Sequence, residues 1–300
     1  MNKIQISDWL KKLQDTICND LEKADDGSKF EEEIWERKEG GGGRSRIFKD
    51  GKYIEKGGVL FSAVDGLAPE FLFTEKEHSN NVSSKYFFAT GLSIVIHPKN
   101  PMIPIIHMNI RYFEMDGGAR WLGGGIDLTP HYIVKEDAVF FHQALKNVCD
   151  KHHPKYYNQF KKWADDYFFI PHRNETRGIG GVFFDRLNEN EEMSFNQNLA
   201  FWKDLGETFS PTYLTLIQKT KNKTFTELNK QWQLLRRGRY VEFNLIYDKG
   251  TKFGLETNGR VESILMSLPK FASWEYNFKT KPNSDEAKTT SLLKKEINWI

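Results

Sequence analysis

The sequence has little cysteine, no long apolar run and no excess of charge, and each absence disfavours a class of protein. Only Cys18 and Cys149 occur among 300 residues, so we expect two free thiols in a cytoplasmic protein rather than a disulfide framework. No stretch is long and apolar enough to span a bilayer. Lys and Arg total 43 against 41 Asp and Glu, a balance that disfavours nucleic-acid binding driven by bulk charge.

Short motifs that mark several enzyme classes are also missing. The chain contains no dinucleotide fingerprint, P-loop, G-x-S-x-G elbow, H-E-x-x-H pair or C-x-x-C pair. These motifs carry nucleotide binding, nucleophilic hydrolysis and zinc coordination. Their absence disfavours those chemistries.

Apolar and aromatic residues, by contrast, are plentiful. They make up 39% and 14% of the chain, respectively, enough for a sizeable core. No linker rich in Pro, Ser or charge divides the sequence, so we predict a single domain over residues 1–300. Trp9, Leu13 and Ile17 recur at helical spacing, which predicts an amphipathic helix within residues 1–29 rather than a signal peptide.

Strand-like segments and helical patterns follow along the chain. We interpret residues 248–251 as the turn of a hairpin between the strands GRYVEFNLIYD and KFGLET. Thr224 and Glu227 predict a capping box for a helix that ends near Arg236. Hairpin-linked strands with helices gathered around them indicate an α+β fold with an antiparallel sheet.

The glycine run Gly40–Gly43 precedes Arg44 and Arg46. A mobile lid that carries two arginines and a plain flexible linker both explain this composition, and the linker is the simpler interpretation. Residues 284–299 predict a last helix.

The stretch IIHMNIRYF, residues 105–113, alternates in an unusual way. His107, Asn109 and Arg111 share one face and apolar residues fill the other, because side chains alternate along a strand. Residues 107 and 111 are separated by about 13 Å along a strand. An acid–base group, an amide and a cation spread this widely suit a large anionic ligand. The alternative is that these groups satisfy backbone atoms at the rim of a sheet.

The preceding strand, LSIVIHP, places Ser93 and His97 on one face. A short, proline-rich connection over residues 98–104 predicts that the two strands pair antiparallel. We therefore expect His97 to lie near His107.

The segment HRNETRGIGGVFFD combines Arg173 and Arg177 with a glycine turn and a strand that ends in Asp185. Glycines allow backbone N–H groups to approach a ligand closely. A plain helix-to-strand loop explains the same residues equally well.

Histidines are the remaining candidates for metal ligands, although their spacing matches no zinc motif. His142 lies one position from the apolar stripe of its helix, so a core or rim histidine is the better interpretation there. The four candidates are His97, His107, His142 and His172.

Several long segments resemble a known family, the oxygen-dependent coproporphyrinogen-III oxidases. They are GLSIVIHPKNPMIPIIHMNIRYFE, WLGGGIDLTPHY, YFFIPHRNETRGIGGVFFD and RRGRYVEFNLIYDKGTKFGLETNGRVESILMSLP. The segments ERKEGGGGRSR and WEYNF are similar to the family too. The resemblance runs in order from about residue 30 to the C-terminus.

The resemblance implies a homodimeric α+β fold, with a large antiparallel sheet flanked by helices on both sides. Residues 240–275 resemble the dimer-forming segment. The implied reaction is the oxidative decarboxylation of two propionates of coproporphyrinogen III to vinyls, which gives protoporphyrinogen IX in heme biosynthesis. O2 is the electron acceptor. No organic cofactor is implied, and a divalent metal is an open possibility.

Residue roles follow from the resemblance by position. His107 matches a proposed proton donor and Asp185 an acidic position implicated in catalysis. Arg173 or Arg177 is a candidate to hold a propionate. The four histidines named above match positions described as metal ligands. The positions that match substrate contacts are Ser93, Asn109, Ile110, Arg111, Asn258, Gly259 and Arg260.

In the mechanism that we expect, arginines hold a propionate while a carboxylate, Asp185, promotes deprotonation of a pyrrole N–H. The electron-rich ring then reacts with O2, and His107 manages protons. Two alternatives remain open at this point. One is a metal-dependent oxygenase that uses the histidines, and the other is a non-catalytic tetrapyrrole carrier.

Overall fold

Strands dominate the first half of the chain and helices the second. The computed structural model describes residues 1–68, 86–256 and 259–300. The strands are β1 Glu31–Glu36, β2 Gly41–Lys49, β3 Ile54–Leu67, β4 Tyr86–Pro98, β5 Ile105–Met115, β6 Arg120–Thr129, β7 Phe169–Ile170, β8 Glu175–Thr176 and β9 Gly181–Leu187. The helices are α1 Lys3–Ala24, α2 Lys135–His152, α3 Tyr156–Tyr167, α4 Phe195–Glu207, α5 Phe209–Thr220, α6 Glu227–Ile246, α7 Lys249–Glu256, α8 Val261–Leu265 and α9 Asp285–Leu292.

One seven-stranded sheet organises the described residues. Its order is β1-β2-β3-β4-β5-β6-β9, and every neighbouring pair is antiparallel. β7 and β8 pair separately, next to the 3-10 turn Pro171–Arg173. The predicted α+β fold with a large antiparallel sheet is therefore confirmed.

The first face of the sheet is the main core. On β5, Ile106, Met108 and Ile110 are completely buried (0% exposed). Leu10 of α1 and Trp202 of α4 belong to the same apolar cluster, so helices cover this face. Burial of each such side chain contributes about 1.5–3 kcal/mol relative to exposure. The predicted N-terminal helix is confirmed as α1, and its buried residues recur at helical spacing.

The second face carries the polar positions of β5 and is only partly covered. Tyr240 of α6 packs on Val95 and Ile105. Met266, just after α8, lies so close to Gly58 that an added Cβ there would come within 2.1 Å of its Sδ. Helices thus flank the sheet on both sides, as the resemblance implied.

The predicted hairpin around residues 248–251 is wrong, because helices occupy most of both predicted strands over the described residues. α6 runs unbroken through GRYVEFNLI and α7 follows almost at once. The N-cap is Thr226, which forms its capping box with Asn229 rather than from Thr224 to Glu227. Several buried positions of α6 are polar, so no apolar stripe revealed its helical period. They include Gln233, Arg236, Arg237 and Asn244.

The glycine run is part of a β-hairpin and not a linker. Gly41 to Gly43 begin β2, which pairs with β1 and β3. Arg44 and Arg46 both point to Asp15 of α1, with N–O distances of 2.7 and 2.8 Å. The two arginines therefore serve the packing of the first face, and a lid that presents them to a ligand is not formed.

The C-terminal helix is shorter than predicted. α9 begins after the N-cap Ser284 and ends at Leu292, whereas we expected it to reach residue 299. Within the described ranges, no helix is long and apolar enough to cross a membrane.

Candidate active site

The strand register collects the polar positions on the second face. Ser93 of β4 lies opposite Asn109 of β5, which lies opposite Gly125 of β6. His107, Asn109 and Arg111 are all partly exposed, whereas the alternate residues of β5 are buried. The predicted alternation is confirmed.

Glycines beside Arg111 let its side chain lie flat on the sheet. Arg111 is flanked by Gly91 on β4 and Gly123 on β6. Its guanidinium crosses β6 and donates from NH2 to Asp185 Oδ1 on β9 at 2.8 Å, while NH1 donates to Asn109 Oδ1 at 3.1 Å. A Cβ at Gly123 would lie 2.7 Å from Arg111 Nε and 2.9 Å from Asp185 Oδ1. The absence of a side chain at position 123 is what allows this ion pair.

A second acidic group lies deeper, next to His107. Asp127 of β6 is directly opposite His107 in the register, and His107 Nδ1 lies 2.8 Å from Asp127 Oδ1. Arg177 NH2 donates to both oxygens of Asp127, at 2.9 and 2.8 Å. The side chains of Asp127 and Arg177 are each 2% exposed. The three residues form a continuous buried chain that ends at the imidazole on the sheet face.

Electrostatics keep Asp127 ionised. Burial opposes its negative charge, but the Arg177 guanidinium and His107 outweigh that effect and hold the pKa of the carboxyl below its ordinary value. An ionised Asp127 accepts a hydrogen bond, so His107 Nδ1 carries the donated proton and Nε2 is left for proton exchange. The neighbouring positive charge of Arg177 lies 4.4 Å from the ring centre of Phe168 and 4.7 Å from that of Phe243.

The α7–α8 connection approaches the far end of this face. Arg260 NH2 donates to Glu33 Oε1 of β1 at 2.5 Å, and NH1 donates to Ser263 Oγ at 3.2 Å. Gly259 N donates to the carbonyl of Gly254 at 2.7 Å. The predicted contact residue Asn258 lies outside the described residues.

Comparison with known proteins now adds to this geometry. The family described as Coproporphyrinogen III oxidase matches residues 5–299 of the chain. The chain belongs to the coproporphyrinogen III oxidase family.

Named relatives in the coproporphyrinogen III oxidase family are similar over almost the whole chain. A Drosophila melanogaster protein named Oxygen-dependent coproporphyrinogen-III oxidase is 49% identical over 97% of this chain and 76% of its own length. A protein of the same name from Prochlorococcus marinus is 45% identical over 100% of this chain and 93% of its own. A Glycine max relative, named as chloroplastic, is 47% identical over 97% and 78%. The predicted family is confirmed.

Asp127 was not among the site residues that we predicted from the sequence. One signal was available, because positions 123, 125 and 127 share a face in an alternating strand. Two of them are glycines that border the polar face, and the third is a carboxylate. The sequence did not reveal that strand pairing would set Asp127 against His107.

Arg173 lies outside the chain of residues at Asp127 and belongs to a separate ion cluster. Its Nε and NH2 donate to Glu242 of α6 at 2.8 and 2.7 Å, and His172 Nε2 lies 2.7 Å from the same carboxylate. Burial opposes the charge of Glu242, but hydrogen bonds from Arg173, His172 and Trp274 lower its pKa to about 2. Arg177 is likewise committed to Asp127, so neither arginine is free within the described residues.

Ile110, the middle residue of the predicted contact segment, points its side chain away from the polar face. Its side chain is completely buried in the main core, on the face opposite to Asn109 and Arg111. Only its backbone lies at the level of the polar residues, and that backbone pairs with Leu92 and Gly124 on the adjacent strands. No side-chain contact with a ligand is open to Ile110.

The four-histidine metal cluster is not formed. Across residues 1–68, 86–256 and 259–300, no group of three or more His, Cys, Asp or Glu residues could hold a metal ion. His97 is completely buried. In the strand register, Val95 and not His97 lies opposite His107. His97 Nε2 instead binds the carbonyl of Ser267 at 2.8 Å, and burial together with Arg237 holds its pKa well below the ordinary value.

His142 is a core histidine, as its helical position indicated. One ring nitrogen binds the Tyr157 hydroxyl and the other the carbonyl of Ile179, both at 2.9 Å. Burial lowers the pKa of His142 to about 4, so the ring is neutral near pH 7. Both of its ring nitrogens are therefore occupied by protein groups.

Proposed function

We propose that this protein catalyses the oxygen-dependent conversion of coproporphyrinogen III to protoporphyrinogen IX in heme biosynthesis. Two propionates become vinyl groups, and for each one O2 takes up two electrons and two protons as CO2 leaves. The observation that carries the proposal is the second face of the sheet, where Arg111, Asn109 and Ser93 lie beside His107 and its buried partner Asp127. The family match over residues 5–299 supports it.

The shape of this face suits a wide macrocycle with carboxylate arms. Gly91 and Ser93 border Asn109 and Arg111 on one side, and two glycines of β6 border them on the other. A flat ligand can therefore approach the backbone. Arg111 is about half as exposed as a free side chain (40%), and a propionate can replace Asp185 as its acceptor. A charge-assisted hydrogen bond of this type contributes about 1.5–3 kcal/mol when desolvated.

Protons are handled by two groups in this proposal. Asp185 is 39% exposed and accepts the pyrrole N–H proton, which makes the ring electron-rich enough to react with O2. His107 exchanges a proton at Nε2 while Asp127 orients the ring through Nδ1. Asp127 itself is saturated by His107 and Arg177, so its role is to hold His107. Electrons pass from substrate to O2, and no organic cofactor is part of the proposal.

A divalent metal is not assigned to the four histidines, because they do not share a position. The rival metal-dependent oxygenase and the tetrapyrrole carrier therefore become outcomes of the test below.

We also propose a cytoplasmic homodimer formed through residues 240–275. Leu245, Val261, Phe271 and Trp274 are 44%, 48%, 56% and 54% exposed. Apolar side chains gathered on one segment are typical of a protein interface. Light scattering of the purified protein, with and without Phe271→Asp, tests this assembly.

The deciding experiment is an aerobic assay of chelator-treated protein with chemically reduced coproporphyrinogen III. Anaerobic and enzyme-free reactions are the controls, and products are oxidised and separated by chromatography. We expect loss of two carboxyl groups only when O2 and protein are both present. Product that forms only after a metal is restored would support the metal-dependent oxygenase. Substrate binding without any product would support the non-catalytic tetrapyrrole carrier.

A further inference from the structure

Asn244 of α6 is a buried amide that no sequence motif singled out. It is 4% exposed and lies on the same side of α6 as Tyr240, one turn later. Its Oδ1 accepts a hydrogen bond from Arg177 NH1 at 2.7 Å. Its Nδ2 also donates to Ser267 Oγ, at the longer distance of 3.5 Å. The link from Asn244 to the acid–base pair runs through Arg177.

Arg177 transmits that contact to the acid–base pair. One guanidinium nitrogen, NH1, is held by Asn244, and the other, NH2, is shared between the two oxygens of Asp127. Asp127 Oδ1 in turn lies 2.8 Å from His107 Nδ1. Because the guanidinium is planar and rigid, a rotation at NH1 moves NH2 and changes both contacts with Asp127.

The aromatic surroundings of Arg177 do not fix this rotation. The guanidinium carbon lies 4.4 Å from the ring centre of Phe168, 4.6 Å from that of Tyr240 and 4.7 Å from that of Phe243. Ring faces attract a cation but do not specify which way its N–H groups point. The in-plane orientation of Arg177 is set by Asp127 on one side and Asn244 on the other.

The anchoring of α6 does not depend on Asn244. Further up the helix, Arg237 NH1 pairs with Glu55 at 2.5 Å and NH2 donates to the carbonyl of Pro98 at 2.7 Å. Gln233 Nε2 donates to the same carbonyl at 3.0 Å. These contacts hold the helix on the sheet two to three turns away from Asn244.

From these contacts we infer that Asn244 is a positioning residue for the reaction. It fixes the plane of Arg177, so that Asp127 presents a correctly placed acceptor to His107 Nδ1 and His107 Nε2 faces the substrate. The inference rests on the proposed function and adds to it a residue of the helix above the sheet. Its effect should fall on the chemical step and not on substrate binding, because Asn244 does not touch the sheet face.

The test compares Asn244→Leu with a matched control on the same helix, Gln233→Met. Leucine keeps the branched shape of asparagine but cannot accept from Arg177 NH1. Methionine likewise removes a buried amide, one that binds Pro98 and Lys230. Asn244→Leu should lower kcat by about 10- to 100-fold with KM within about twofold, the range expected when a catalytic group is misplaced by about 1 Å. Gln233→Met should lower the melting temperature yet keep kcat within about twofold.

Two further variants keep the test decisive. Asn244→Asp retains an oxygen for Arg177 NH1 and should recover most of the lost kcat. Asn244→Ala also lacks a side-chain acceptor for Arg177 NH1, and it replaces the leucine variant if that protein does not fold. A folded leucine or alanine variant with kcat within twofold of wild type would overturn the inference. Equal kcat losses in Asn244→Leu and Gln233→Met would overturn it as well.

The wild-type protein in the same assay separates this inference from the proposed function. Conversion by wild type with a selective kcat loss in Asn244→Leu supports both. Conversion by wild type with unchanged variants leaves the proposed function intact and removes the inference. No conversion by wild type removes both.

Discussion

Asp127 and Asp185 lie on the neighbouring strands β6 and β9, and each pairs with an arginine. The two pairs differ mainly in burial. Asp127 and Arg177 are each 2% exposed, whereas Asp185 and Arg111 are 39% and 40% exposed. The N–O distances are the same, 2.8 Å. Geometry alone would therefore suggest equivalent pairs.

Their surroundings give them different capacities. The buried pair is closed by a histidine, an asparagine and aromatic rings, so neither partner can leave without an uncompensated charge in the interior. The half-exposed pair can exchange one partner for water or a ligand carboxylate at little cost. The buried pair is therefore suited to orient His107, and the half-exposed pair is suited to exchange a partner for a ligand.

The largest expected effect is on stability, from Arg177→Met. Asp127 would remain buried without its cation, which should lower the free energy of unfolding by about 3–5 kcal/mol. Arg111→Met is the matched control and should cost less than about 1 kcal/mol, because its pair is half-exposed. Urea unfolding of both variants measures the difference. Equal losses would remove the distinction between the pairs.

The next largest effect concerns substrate affinity at the exposed pair. Arg111→Met should raise KM by about 10- to 150-fold, which corresponds to the loss of one charge-assisted hydrogen bond. Asp185→Asn should instead lower kcat by about 100-fold if the carboxylate accepts the pyrrole proton. Steady-state kinetics on both variants separate the two roles. If both keep near-normal turnover, the assignment of this pair is wrong.

A smaller effect is expected at Gly123. The methyl group of Gly123→Ala would collide with Arg111 Nε at 2.7 Å, so the guanidinium must move and KM should rise by about 3- to 10-fold. Gly250→Ala is the control, since its methyl would meet only Asp248 Oδ2 at 3.4 Å. An unchanged KM in Gly123→Ala would mean that Arg111 does not bind substrate from its present position.

The smallest effect is expected in acid, at the ion cluster of Glu242. Its pKa is lowered from 4.5 to about 2 in the folded protein, so its contribution to stability is present above pH 4.5 and is lost as the pH falls towards 2. Glu242→Gln should be less stable than wild type above pH 4.5, and its stability should change less within this window. Urea unfolding at several pH values measures this, with the exposed Glu256→Gln as control. Identical pH dependence in Glu242→Gln and wild type would contradict the role of the cluster.

Local patterns allowed much of this site to be predicted. Alternation along β5 placed His107, Asn109 and Arg111 on one face, and a helical stripe predicted α1. Both patterns depend only on the geometry of a single segment. The second half of α6 was mistaken for a strand because several of its buried residues are polar. The burial of Arg237, for example, depends on Glu55, 182 positions away in the chain.

By itself, the sequence determined which side chains of each strand share a face, which family the chain resembles and which residues can bind anions. Only the tertiary structure decided which of these groups meet. Strand register brought Asp127 to His107, and the missing side chain at Gly123 let Arg111 reach across a strand to Asp185. The tertiary structure also placed the four candidate histidines in different surroundings. Faces follow from the period of a local backbone, whereas partners follow from packing between segments that are distant in the chain.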